Sequence, residues 1–157
     1  ICVNKKTIMK NKLLFLGALA ALIAGCEKIN EDPVFDTKPL IDLVAISADT
    51  LVEFQENLVL TISYQDGDGD LGTSDPDVNS IFVQDNRLEK PDEYYLPPLA
   101  PEEAKISIQG QLDLKLSPTF LLGNGSQETV EYTLYLFDRA GNQSNVLKTG
   151  PILVVRE

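Results

Sequence analysis

Apolar and polar positions alternate along most of the chain with a period of two, and no 3.6-residue helical repeat is sustained. Leu58, Leu60, Ile62 and Tyr64 alternate with Val59, Thr61, Ser63 and Gln65, the pattern of a strand with one buried face. A second long strand is predicted where Ile106, Ile108, Leu112, Leu114 and Leu116 alternate with Ser107, Gln109, Asp113 and Lys115, with Gly110 read as a bulge. Val130, Tyr132, Leu134 and Leu136 repeat the pattern in a third. Shorter strands are expected over Leu43 to Ser47, Ile81 to Gln84, and Asn145 to Lys148 continuing into Ile152 to Val155.

Six or seven strands separated by turn-rich loops within residues 40–157 predict an all-β fold: an antiparallel, immunoglobulin-like β-sandwich of about seven strands, with a small β-barrel as the competing architecture. The segment from Leu88 to Ala104 carries Pro91, Pro97, Pro98 and Pro101 and so is not an interior strand. Its Tyr94 and Tyr95 are expected to cover the sandwich edge, with stacking on a ligand as the other reading. Phe120, Leu121 and Leu122 read as a core plug before a tight turn at Gly123-Asn124-Gly125.

The N-terminus has a different texture. From Met9 the chain runs Met9-Lys10-Asn11-Lys12, then twelve uncharged residues from Leu13 to Ala24, then Gly25-Cys26. As a helix those twelve span ~18 Å, too short for a hydrocarbon core of ~30 Å, so a secretory signal peptide over residues 9–25 is expected rather than a membrane span. Ile23-Ala24-Gly25-Cys26 resembles a bacterial lipobox, which implies that Cys26 carries diacylglycerol and becomes the acylated N-terminus after cleavage. Residues 1–8 read as an upstream extension from a misplaced start, which leaves Cys26 without a disulfide partner. Residues 26–39 make the lipidated cysteine and a polar, acidic tether broken by Pro33 and Pro39, and residues 40–157 make one domain.

Charge narrows the chemistry. With 13 Lys+Arg, 24 Asp+Glu and no histidine, the chain carries −11. Cleavage before Cys26 removes Lys5, Lys6, Lys10 and Lys12 and no acid, which takes the charge to −15. Such a surface neither neutralises phosphates nor adheres to anionic lipid, so nucleic-acid binding is excluded and the acyl chains carry the membrane attachment. Lack of histidine removes the commonest general base and metal ligand. Carboxylate chemistry, hard-cation binding or no chemistry remain.

Two loops can carry cation chemistry. After the first long strand comes Asp66-Gly67-Asp68-Gly69-Asp70-Leu71-Gly72, followed by Asp75, Asp77 and Asn79. Calcium takes six to eight oxygens, which carboxylates at alternate positions of a tightly curved loop can supply. The stretch resembles the first half of an EF-hand loop. The resemblance implies Asp66, Asp68 and Asp70 at its positions 1, 3 and 5, the Gly72 carbonyl at position 7 and Asp77 at position 12. Leu71 replaces the glycine of position 6, and no flanking helices are predicted, so the reading is a β-sandwich loop with the same acid spacing. The second loop, Phe137 to Asn145, resembles the hairpin between the last two strands of bacterial immunoglobulin-like domains. In that topology both loops share one pole of the sandwich, which lets Asp138 complete a calcium site begun by Asp66, Asp68 and Asp70.

Lipobox, acidic tether, DGDGD-type loop and terminal hairpin together resemble the small lipoproteins common in the Bacteroidota, a group that implies fold and location without a biochemical activity. Asp49-Thr50-Leu51 is also similar to the O-glycosylation acceptor of that group. The expected protein is a monomeric, non-enzymatic, calcium-stabilised interaction or accessory module, lipid-anchored at the outer membrane on its periplasmic or surface face, with an envelope protein or glycan as partner. The alternative is a carbohydrate-binding module of a surface glycan-uptake system, with Tyr94, Tyr95 and the acidic loop as its face. Against that alternative stands the absence of tryptophan, the side chain with the largest stacking surface.

Overall fold

Eight strands and no helix make up residues 34–157, the part of the chain described in this computed structural model. The expected upstream extension of residues 1–8, signal peptide of residues 9–25 and lipidation site Cys26, and the expected tether up to residue 33, lie outside the described residues.

The strands are β1 (Leu40–Ile46), β2 (Thr50–Val52), β3 (Val59–Asp66), β4 (Ile81–Asp85), β5 (Asp92–Tyr94), β6 (Ile108–Lys115), β7 (Gln127–Leu136) and β8 (Leu147–Val155). They form a three-stranded sheet ordered β1-β3-β6 and a five-stranded sheet ordered β2-β8-β7-β4-β5. All pairs are antiparallel except β2 with β8. The first, third and sixth strands against the fourth, seventh and eighth is the arrangement of an immunoglobulin-like sandwich, with β2 and β5 added at the edges of the second sheet. The chain changes sheets between β1 and β2, where the Leu153 amide donates to the Asp49 carbonyl at 2.8 Å.

Alternation places the core. Leu58, just before β3, and Leu60 and Ile62 of the first sheet cluster with Val130, Leu134 and Leu136 of the second, joined by Ile41, Val83, Ile152 and Val154. Burying a Leu, Ile or Val side chain contributes ~1.5–3 kcal/mol, which makes this inner layer the main source of stability.

Two local expectations are corrected. Gly110 is not a bulge: β3 and β6 pair without a register shift, and Gly110 lies opposite Tyr64, whose hydroxyl would stand 2.6 Å from a Cβ added there. The glycine makes room for a ring. The register shifts fall instead between Leu43 and Ala45 in β1 and between Glu131 and Thr133 in β7. In β7 the shift comes beside Pro151, which has no amide to give the ladder. Of the expected core plug, Leu121 is buried while Leu122 is 49 % exposed, and Phe120 stacks on Phe54 instead. Proline confines the Leu88–Ala104 segment to the three-residue edge strand β5.

Candidate metal centre

Asp66 is the last residue of β3, and the ladder that pairs it with Ile108 carries it into the interior, where it is 0 % exposed. Its Oδ2 accepts the Asp70 amide at 2.9 Å, folding the loop back over its own start. Asp70 in turn offers Oδ2 to the Ala140 amide at 3.0 Å, and its carbonyl accepts the Arg139 amide at 3.1 Å. The second loop therefore lies directly on the first, and a bridge pairs Leu71 with Asp138. The shared pole expected from the topology is present.

Asp66, Asp68 and Asp70 each place one carboxylate oxygen within 4.8 Å of the others. In each the Oδ1 atom is buried and has no hydrogen-bond partner. Buried polar atoms are normally paired, and three acceptors of one charge cannot satisfy each other. Burial raises the Asp66 carboxyl to about 6, and the charges of Asp68, Asp70 and Asp138 push the same way against the favourable Asp70 amide. Asp70 is also raised, first by burial and then by Asp138 and Asp68. All-oxygen donors around a concentrated negative charge can hold a hard cation.

The other expected ligands fall differently. Asp138 is 7 % exposed and closes its own hairpin: Oδ1 accepts the Asn142 amide at 2.7 Å and Oδ2 the Asn142 side-chain amide at 2.8 Å. Its charge still acts on both Asp66 and Asp70. Gly72 gives its carbonyl to Arg139 Nη1 at 2.7 Å, so that oxygen faces a guanidinium. Asp77 stands exposed outside the acidic group, with its amide bonded to Asp75 Oδ1 at 3.0 Å. Tyr94 packs against the core and its hydroxyl accepts the Ser117 amide at 3.2 Å, while the Tyr95 hydroxyl donates to the Thr73 carbonyl at 2.8 Å.

Sequence reading missed Arg139. The nearest cation after the acidic loop in the chain is Arg87, yet the fold brings Arg139 close enough to oppose the rise of the Asp70 carboxyl. It was legible only through the pairing of the two loops, since 67 residues separate Arg139 from Gly72.

The raised Asp66 has a signed consequence. Its folded pKa lies above the unfolded one, so without a cation the folded state holds the proton more tightly, and Asp66 destabilises the fold as pH rises from about 4 to about 6. In chelator, wild type relative to Asp66→Asn is expected to lose on the order of 2 kcal/mol across that window, read by urea denaturation at pH 4.5 and 7. Glu53, Glu102 and Glu128 are lowered from their usual value of 4.5, so their stabilising contribution is lost as pH falls below it, equally in wild type and Asp66→Asn. A flat difference would contradict the buried, crowded environment of Asp66.

Comparison with protein-family models, curated proteins and solved structures finds no match to this chain.

Proposed function

We propose that the protein is a lipid-anchored, non-enzymatic module of the bacterial cell envelope whose sandwich is stabilised by one calcium ion at Asp66, Asp68 and Asp70. The observation that carries the metal reading is the set of three buried Oδ1 atoms without partners, in residues whose ligand atoms lie within 4.8 Å of one another. Calcium fits better than zinc because the donors are carboxylates and the chain has no histidine. Magnesium retains several waters and demands octahedral geometry at ~2.0–2.1 Å, whereas calcium accepts the irregular all-oxygen set that a cluster of acids offers. Asp138 adds negative charge beside the three acids while its own oxygens stay bonded to Asn142.

An ion bound only by the folded state stabilises it by RT ln(1 + [L]/Kd), about 1.4 kcal/mol at ten times Kd. Melting temperature is therefore expected to rise in millimolar calcium and to fall back with chelator. The double change Asp68→Asn, Asp70→Asn removes that response, and it stabilises the ion-free form by relieving repulsion. Melting curves that coincide in calcium and chelator would reduce the loop to an acidic turn.

The envelope assignment rests on the lipobox-like Ile23-Ala24-Gly25-Cys26 and the basic start at Met9. Cys26→Ser is expected to leave the precursor uncleaved or to release the protein from the membrane fraction of a bacterial host. A Cys26→Ser protein that is processed and still membrane-bound would overturn lipid anchoring.

A further inference from the structure

Where the chain enters the sandwich, it rests on the acidic loop itself. The Gly67 amide, between Asp66 and Asp68, donates to the Asp36 carbonyl at 2.8 Å. This is the backbone hydrogen bond that holds residues 34–38 to the sandwich, among the described residues. A Cβ on Gly67 would overlap the Phe35 carbonyl and stand 2.7 Å from the Asp36 carbonyl carbon and oxygen, so only glycine admits the entry segment so close. From the other side the Ser107 hydroxyl donates to the Gly67 carbonyl at 3.0 Å. Gly67, which separates two candidate ligands, is thus held between residues 35–36 and Ser107, just before β6. A few residues later the chain is fastened independently, because the Asn145 side chain bonds both the amide and the carbonyl of Ile41 at 2.8 Å.

We infer that cation binding and docking of residues 35–36 are coupled, so that the ion latches the entry segment onto the pole and its loss releases that segment. The inference rests on the calcium reading above. Without a cation, Asp66 and Asp68 repel across the peptide that receives Asp36, and the loop is driven apart at the point where docking needs it closed. With a cation, both carboxylates are drawn inward and the Gly67 amide is presented in place. Coupling is reciprocal, so docking must tighten ion binding by the factor by which the ion favours docking.

Two measurements on the full chain, with calcium chloride as the only probe, test the latch. The first is amide exchange by NMR, in which calcium is expected to slow exchange at Gly67 and Lys38. The second is calcium titration of Gly67→Ala, whose added methyl ejects residues 35–36 while all three acids stay; binding is expected to survive but weaken about tenfold, within the usual range for coupled sites. Calcium that binds wild type without changing exchange at Gly67 overturns the latch and leaves the metal site standing. Equal affinity of wild type and Gly67→Ala does the same. No binding to wild type at all overturns both. The exchange measurement needs no variant, so it decides even if Gly67→Ala folds poorly.

Discussion

Replacing Gly72 by alanine is expected to cost about 3–5 kcal/mol of folding stability, whereas the same change at Gly141 costs only about 1–2. Both glycines occupy the left-handed region, with φ of +77° and +86°, so both substitutions carry the backbone penalty of an L-residue there. They differ in surroundings. Nothing lies within 4 Å of a Cβ at Gly141, but at Gly72 a Cβ would overlap the Pro97 carbonyl and stand 2.9 Å from the Leu96 carbonyl oxygen. Those obstacles are backbone and cannot swing aside, and the next amide, Thr73, is bonded to the same Leu96 carbonyl at 2.9 Å. Relief requires moving the 96–97 segment or the loop, and either pulls Gly72 away from Arg139. Urea denaturation of the two variants reads the difference; equal losses would mean that the Leu96-Pro97 segment does not press on the loop.

The second large effect is expected far from the acidic pole. Arg87 and Asp85 are only 11 % and 10 % exposed at their side chains and form a forked pair, with Nε to Oδ1 at 3.0 Å and Nη2 to Oδ2 at 2.7 Å. Arg87 Nη1 reaches Glu128 of β7 at 3.0 Å. Arg87→Ala leaves the Asp85 carboxylate buried with little beyond the Arg87 backbone amide, and removing one partner of such a pair costs about 3–5 kcal/mol. Arg87→Lys is expected to recover little of this, because an ammonium cannot make the fork. Arg87→Met with Asp85→Leu, which removes both charges together, is expected to cost much less than Arg87→Ala. Chemical denaturation of the three variants reads that ordering, and an Arg87→Ala loss below about 1 kcal/mol would place the pair in the surface class.

The contrast between these two sites shows what the sequence can say. The three long strands were legible because each buries one face: Leu58-Leu60-Ile62 and Val130-Tyr132-Leu134-Leu136 carry the period-two signal through their whole length. The shared pole of the two loops follows from strand order alone. By contrast β2 and β5 have three residues each, too few for any period, and exist because β8 and β4 offer them an edge. Gly110 was misread because a glycine needed for a facing Tyr64 ring and a glycine needed for a bulge look alike in a sequence.

The acidic site divides along the same line. Asp66, Asp68 and Asp70 were legible from their spacing, since a tight loop forces alternate carboxylates together whatever surrounds them. The fates of Gly72 and Asp138 were not, because Arg139 and Asn142 claim their oxygens through contacts that only the folded hairpin creates. Nor was the role of Gly67 legible: its neighbour Asp36 lies thirty-one residues upstream, outside any pattern the loop itself carries.

Calorimetric titration of calcium into the full chain at pH 7 in low salt, beside Asp68→Asn, Asp70→Asn, tests the metal reading most directly. One ion per chain is expected to bind wild type, with a Kd of ~10⁻⁴ to 10⁻³ M, the range of extracellular modules, and the double variant is expected to bind none. No calcium heat with wild type, or the same isotherm from both proteins, would contradict a cation centre at Asp66, Asp68 and Asp70.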